Sequence, residues 1–388
     1  MRFAHLSDSH LGYKQYGIDE REQDFYDVFE KTIDKIIELN VDFVIHSGDL
    51  FDQSRPSTDS MLVFQKGLIR LNNAGIPLYI IAGNHDSVLR KNVKPPIVLF
   101  EELGLNIIKY DQGFVEKDVL ICGIQYVPKS QKRALFRNLE KMSELSEKHE
   151  KSILVLHQGI SKYLPEDAYE LELDDLPENF NYYALGHIHD FFEEDYGKGK
   201  LVYPGSMELF KINNNYKTFG KGFCVVDISE DTPKVERIQI DLPRKILNET
   251  IKYENFEEEL KNLKNELKIL DNKPMLDLKV VGGDFVSSDI YEIIQEEIGE
   301  LVLNLRPIFK PDEILEEEKY IETGKTLDPK SVLMKRIDEK YCMDEITNLS
   351  VDLLDNLSAK KVDDAQVLSD DFYEEYFSPK DESSKTED

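Results

Sequence analysis

Leu78-Tyr79-Ile80-Ile81-Ala82-Gly83-Asn84-His85-Asp86 sets five apolar residues directly before a glycine, an amide, an imidazole and a carboxylate. An apolar run of that length reads as a buried strand. Four chemistry-bearing residues at its end are hard to explain by packing. The arrangement recurs along the first half of the chain. Asp8-x-His10 follows Phe3–Leu6, and Gly48-Asp49 comes just after Phe43–His46. His157 follows Ile153–Leu156, and Gly186-His187-x-His189 follows Tyr182–Leu185. Five of the eight histidines fall in these five motifs. Singly, Asp-x-His and Gly-Asp are common in turns; together and in this order they indicate one site.

Helical periodicity lies between the strands. Residues 20–39 place Phe25, Val28, Phe29, Ile33, Ile36 and Ile37 at three- and four-residue spacing. Further helices are expected over 58–73, 96–103 and 131–150. Later strands are expected at 106–110, 119–123, 201–203 and 222–228. This is an α/β pattern, and it leaves open whether the strands form one sheet or two. After Pro243 come a Glu/Lys/Leu-rich helix (256–270), an alternating strand (275–281) and another helix (290–298), enough for a small α+β cap. Residues 311–330 read as a linker around the Glu316-Glu317-Glu318 run. Ile346, Leu349, Leu353 and Leu357 then form one apolar stripe, and Phe372, Tyr373, Tyr376 and Phe377 another. The last residues, 379–388, have a disordered composition.

The chain has 388 residues, 40% of them hydrophobic, and no internal repeat. No apolar stretch spans a membrane, and the N-terminus has no signal-peptide pattern. Three scattered cysteines point to a reducing cytoplasm. The net charge of −29 weighs against a polyanionic partner. However, residues 312–388 hold 23 acidic and 10 basic residues, so −13 of it is concentrated in the tail.

The motif residues are metal ligands by type. Residues two apart on a strand share a face, so Asp8 and His10 are expected to reach one ion together. Asp49 is placed to bridge two ions. Asn84 supplies a neutral oxygen, and His157, His187 and His189 supply nitrogens. Carboxylate, imidazole and amide ligands without thiolates suit Mn²⁺, Fe or Zn²⁺. Two such ions would clamp a phosphate ester and activate water. His85 is placed as the proton donor, with Asp86 orienting its imidazole. His5, His46 and His149 are better explained by packing or by a charged helix.

These five motifs resemble those of the calcineurin-like metallophosphoesterase superfamily. Gly48-Asp49-Leu50-Phe51, Ser54-Arg55-Pro56-Ser57, His157-Gln158-Gly159 and Tyr203-Pro204-Gly205-Ser206 narrow the resemblance to archaeal double-strand-break repair nucleases of the Mre/SbcD type. It is dense over residues 1–230 and looser beyond. It implies a metallophosphoesterase nuclease domain over 1–240, with central β-sheets flanked by helices. It also implies a DNA-binding cap over 241–310 and a helical docking segment over 331–378 for an SMC-like coiled-coil ATPase. It implies two Mn²⁺ per subunit. Asp8, His10, Asp49 and His189 would hold one ion; Asp49, Asn84, His157 and His187 would hold the other. Several members carry a His where this chain has Asp52, so a role resting on that His is not expected here. The implied activity is 3′-to-5′ exonuclease on duplex DNA and endonuclease on single strands. Tyr13, Lys14, Arg55, Arg90 and Lys91 follow the metal motifs and are candidate DNA contacts, Arg55 foremost. The helix at 58–73 carries more apolar residues than one buried stripe needs, and with 96–103 it is the expected homodimer surface. Two rival readings are a small-molecule phosphatase on the same metals, with a closed pocket, and a non-catalytic scaffold, with ligands lost.

Overall fold

The structure is a computed structural model that describes residues 1–87, 94–110, 113–165, 168–311, 344–358, 365–369 and 372. Arg90, Lys91, Cys342, Tyr373, Tyr376, Phe377, the linker beyond Pro311 and the 379–388 tail lie outside the described residues. The chain divides into two compact units. One is Met1–Val280 with Tyr291–Phe309; the other is Val281–Ile290 with the chain from Lys310 onward.

Two six-stranded sheets form the core of the first unit. One contains β1 (Arg2–Leu6), β2 (Phe43–His46), β3 (Leu78–Ile80) and β4 (Asn106–Ile107) in parallel. β11 (Gly222–Asp227) and β12 (Lys234–Gln239) extend it antiparallel beyond β1. The other sheet runs β5 (Phe114–Glu116), β6 (Val119–Ile124), β7 (Lys151–His157), β8 (Tyr182–Gly186), β10 (Gly199–Tyr203) and β9 (Phe192–Tyr196). Alternate residues decide the layering, because neighbours on a strand face opposite ways. Phe3, Phe43, Ile45 and Ile81 meet Ile121, Ile153, Val155, Tyr182 and Val202 in one cluster between the sheets. The intervening Ala4, Leu6, Val44 and Ile80 pack outward on Val28, Phe29, Ile33, Phe64 and Leu68 of α1 (Asp19–Leu39) and α2 (Thr58–Asn73). On the far side Leu120, Cys122, Leu154 and Leu156 pack on Leu135, Leu139 and Met142 of α3 (Lys132–Ser146). Each such fully buried side chain contributes about 1.5–3 kcal/mol.

Several local expectations change. The helix expected over 96–103 forms with those limits, as a 3₁₀ helix capped by Pro95 and begun by Pro96. The helix expected over 131–150 ends at Ser146, so His149 lies in the turn beyond it. α4 (Asn214–Phe219), β9 and β12 were not anticipated; β9 and β12 have few apolar residues to signal them.

The following segment forms a three-stranded sheet, with β14 (Met275–Val281) between β13 (Ile246–Lys252) and β15 (Asn304–Lys310). α5 (Phe256–Lys268) buries Leu260, Leu263 and Leu267, and α6 (Ser287–Ile298) buries Ile294 and Ile298. Within the first unit, Asp24 of α1 accepts from Arg244, whose guanidinium also reaches the Lys273 carbonyl. Arg306 of β15 donates to the Tyr16 hydroxyl at 2.6 Å. In the second unit α7 (Asp344–Ser358) leaves Leu349 and Leu353 half-buried. Among the described residues no helix is long and apolar enough to cross a membrane.

Candidate metal centre

All five motifs leave the carboxyl ends of parallel strands, and the layering brings those ends together. Clefts at such strand ends are where open α/β sheets bind ligands. His157 ends β7 opposite Gly186 of β8. The Asp8 N–H donates to the Gly48 carbonyl at 3.0 Å, and the His187 N–H donates to the Asp8 carboxylate at 3.2 Å. One sheet is thereby tied to the other at the site.

The expectation that Asp8 and His10 share a strand face does not hold. Their φ angles are 52° and 42°, with Asp49 at 54° and His187 at 92°. These residues sit in left-handed loop conformations after the strands, so turns aim them, not pleats. Such backbones cost about 1–3 kcal/mol each and persist where surrounding contacts enforce them. The glycines permit the close approach. A Cβ on Gly48 would lie 2.3 Å from His157 Nδ1, and one on Gly83 would lie 2.1 Å from Asp49 Oδ1.

Two donor groups result. In the first, His10 Nε2 and His189 Nε2 are 3.1 Å apart, and Asp8 Oδ1 is 3.9 Å and 3.7 Å from them. In the second, Asn84 Oδ1 lies 3.1 Å from His157 Nε2 and 2.9 Å from His187 Nδ1. Asp49 Oδ2 faces both groups, 3.7 Å from His10 Nε2 and 3.2 Å from His157 Nε2. Ligands about 2.0–2.2 Å from a cation stand roughly 2.8–3.6 Å apart. The second group has that spacing, and the Asp8 contacts of the first are slightly wider. The His157 ring is turned correctly for coordination: its Nδ1 donates to the Ser47 carbonyl at 2.7 Å, which leaves Nε2 for an ion. The residues present therefore fit a pair of divalent cations. Asp8, His10 and His189, and Asp8, Asp49 and His157, are compact candidate metal clusters.

Electrostatics agree with this arrangement. Burial opposes a charge on Asp49, yet the imidazoles of His157, His10 and His85 outweigh it and hold its carboxyl well below the usual range. Burial, then the neighbouring His157, lowers His187 to about 4. Burial and His10 likewise hold His189 well below its ordinary value. Neutral imidazoles are the coordinating form. Burial also opposes charge on His157, but Asp49 and Asp8 override it and raise the ring to about 9. An incoming cation would displace that proton.

His85 stands at the open edge, its side chain 41% exposed. Its backbone N–H donates to Asp49 Oδ1 at 2.9 Å, and its Nδ1 lies 2.6 Å from the Asp52 carbonyl. The expected orienting role of Asp86 does not hold. That carboxylate accepts the N–H groups of Leu50, Phe51 and Gly83 at 2.9–3.0 Å and braces two motif loops. Burial and the charge of Asp49 push it up to about 6. Asp52 takes the part instead: its carbonyl fixes His85, and its carboxylate lies 3.6 Å from His10 Nδ1. His10, Asp52 and His85 thus form a third compact group. The only sequence signal for Asp52 was its place directly after Gly48-Asp49-Leu50-Phe51. Phe210 was missed altogether; its ring packs 4.4 Å from His189 and 5.2 Å from His10. Tyr126, stacked 6.0 Å from His187, was also missed.

Of the other named residues, Tyr13 is half-buried against Phe25 and Phe210. Arg55 is exposed and lines a 540 Å³ hollow with Tyr13, Asp52 and Ser57. Lys14 is paired with Asp19 at 2.7 Å and Glu22 at 3.1 Å, so it is not a free phosphate contact. His5 and His46 are core residues, bonded to Ser47 and Tyr182 and to Ser9.

The calcineurin-like phosphoesterase family matches residues 1–191. A DNA double-strand break repair protein Mre11 of Methanococcus maripaludis is 35% identical over 335 residues, 83% of this chain and 87% of the relative. The Saccharolobus solfataricus Mre11 is 33% identical over 375 residues, 93% of this chain and 96% of the relative. The Methanocaldococcus jannaschii Mre11 is 38% identical over 287 residues, 71% of this chain and 75% of the relative. With the paired donor groups, these matches make the protein a metal-dependent phosphodiesterase, and the chain belongs to the Mre11 family of calcineurin-like phosphoesterases.

Proposed function

We propose that this protein is a manganese-dependent DNA nuclease that processes double-strand breaks, as a 3′-to-5′ exonuclease on duplex and an endonuclease on single strands. It acts with an SMC-like coiled-coil ATPase. The observation that carries the reading is a paired donor set at an open edge: His85 and His189 are 41% and 35% exposed while Asp8, His10, Asp49 and His157 are buried. An open edge admits a polymer backbone, whereas a small-molecule phosphatase calls for an enclosing pocket. The complete donor set speaks against a scaffold.

Asp8, His10, Asp49 and His189 would hold one ion, and Asp49, Asn84, His157 and His187 the other. When bound, the ions supply Lewis acidity and an activated water for attack on the phosphodiester. The chain's own residues do the rest. Asp49 spans both groups. Nδ1–H of His85 donates to the Asp52 carbonyl, and with both ring nitrogens protonated Nε2–H donates a proton or a hydrogen bond at the scissile phosphate. Arg55, free of ion pairs among the described residues, grips a neighbouring phosphate. Its position beside Asp52 supports this.

Residues 1–240 serve as the nuclease domain, 241–310 as the DNA-binding cap, and 331–378, behind the 311–330 linker, as the ATPase dock. Homodimerisation uses α2 and the 3₁₀ helix at 96–103. α2 turns Phe64, Leu68 and Leu71 inward, while Leu62, Ile69 and Leu99 stay 42–68% exposed.

The direct test incubates the protein with Mn²⁺ and end-labelled duplex DNA, beside a generic phosphatase substrate, with and without chelator. Chelator-sensitive DNA cleavage far exceeding phosphatase turnover is expected. Phosphatase turnover without DNA cleavage overturns the proposal.

A further inference from the structure

His189 is a ligand candidate that no strand positions. It lies in the loop between β8 and β9, where His187 has φ +92°, and ladder pairing resumes only at Phe192. Its backbone is fixed by a residue far away in sequence. Lys221, 5% exposed and one residue before β11, donates from Nζ to the His189 carbonyl at 2.6 Å and to Ser206 Oγ at 2.9 Å. The Ser206 N–H donates to the same carbonyl at 3.1 Å, and its hydroxyl donates to the Glu208 carbonyl at 2.8 Å. Ser206 also bridges in parallel to Ser7, the residue before Asp8. One ammonium therefore ties the backbone of His189 to the strand that delivers Asp8. The next residues are held separately, Asp190 by Asn213 and Phe191 by Asn215.

We propose that Lys221 is a positioning residue for the metal centre: by clamping the His189 carbonyl to Ser206 it fixes where the His189 imidazole meets Asp8 and His10. The inference rests on the dimetal reading above. Coordination distances hold to about ±0.2 Å, so a loose backbone at a ligand is felt directly in affinity. The hydrogen bonds of the Lys221 ammonium go to two neutral oxygens, the His189 carbonyl and Ser206 Oγ, and a buried ammonium so held is costly to keep. The cost is explained if the donor geometry is needed. Charge and geometry then predict opposite outcomes. As a bare cation near divalent ions, Lys221 weakens their binding, and its loss tightens it. As a clamp, it strengthens the ion at Asp8, His10 and His189, and its loss weakens that ion alone.

The test titrates metal-free wild type, Lys221→Met and His189→Ala with Mn²⁺, by calorimetry and electron paramagnetic resonance. Met keeps the length and apolar stem and removes the donors. Wild type is expected to bind two ions with a spin-coupled signal. Lys221→Met is expected to lose about 10- to 100-fold in affinity for one ion, as outer-shell changes do. The other ion should be retained and the spectrum become mononuclear at low Mn²⁺, as for His189→Ala. Melting of the metal-free protein is not expected to fall. Two ions bound as in wild type, or more tightly, overturn the inference while leaving the dimetal reading intact. A wild type that binds no Mn²⁺ overturns both. Should Lys221→Met fail to fold, Ser206→Ala decides. It removes one anchor of the ammonium and is expected to weaken the same ion about 2- to 10-fold; unchanged binding overturns the inference.

Discussion

Replacing His85 with alanine separates proton donation from metal binding. The imidazole faces the donor groups only from the rim. Its ring is held by Nδ1 on the Asp52 carbonyl and by an edge-to-face contact with His10 at 4.7 Å, while the contact that matters to the ions is its backbone N–H on Asp49 Oδ1. Alanine keeps that N–H, so Asp49 stays aimed at both donor groups. The side chain is 41% exposed, so its loss opens no cavity and stability should change by less than about 1 kcal/mol. What disappears is a general acid, worth roughly 10²–10⁴-fold, or about 3–5 kcal/mol of barrier. The assay pairs single-turnover cleavage of labelled DNA at saturating Mn²⁺ with calorimetric counting of bound ions. His85→Ala is expected to bind two ions as wild type does, yet cleave at a small fraction of the rate. Full cleavage would refute the proton-donor role. Loss of one ion would show that His85, with His10 and Asp52, is itself a ligand.

Other perturbations probe different parts of the structure. Gly83→Ala places a Cβ 2.1 Å from Asp49 Oδ1 and 2.4 Å from its backbone nitrogen, so Mn²⁺ binding should collapse in a chain that still folds; retained binding would mean the loops yield. Burial, against the opposing pull of Arg21, raises Glu208 to about 7, and among the described residues its Oε2 has no hydrogen-bond partner. A carboxyl whose folded value lies above its unfolded one is stabilising when protonated, so stability should fall as pH rises from about 4.5 through 7, by up to about 3 kcal/mol. Glu208→Gln should flatten that slope in denaturant titrations, and parallel curves would contradict it. Deleting residues 331–388 should leave Mn²⁺-dependent cleavage intact and abolish ATPase binding in pull-downs; undiminished binding would end the docking proposal. Leu99→Asp, at a 68% exposed position, should convert a dimer to a monomer by light scattering, and an unaltered mass would point to another interface.

The strand cores and motif positions were legible because apolar runs and polar punctuation are local signals. Phe43–His46 and Met275–Val281 are strands with the limits the pattern suggests. Whether the strands formed one sheet or two was not legible. Ile81 and Ile153 look alike in sequence, and only the pairing of β3 with β2 and β4, and of β7 with β6 and β8, puts them on facing layers. The conformation of the ligands was not legible either. Asp8 and His10 are expected to share a strand face, but tertiary contacts hold both at positive φ, for which Asp and His carry no strong code. Asp86 was misassigned because adjacency to His85 suggested contact, while its carboxylate turns back to three backbone N–H groups. Lys221 gave no signal, since its function depends on where residues 189 and 206 end up in space.

The central claim is that Asp49 stands between two cation sites. Crystals grown with Mn²⁺, measured at the manganese edge, test it most directly. The account predicts two anomalous peaks about 3.5–4 Å apart, one beside Asp8, His10 and His189 and one beside Asn84, His157 and His187, with Asp49 touching both. No peak, or a single peak at His10, Asp52 and His85, would contradict it.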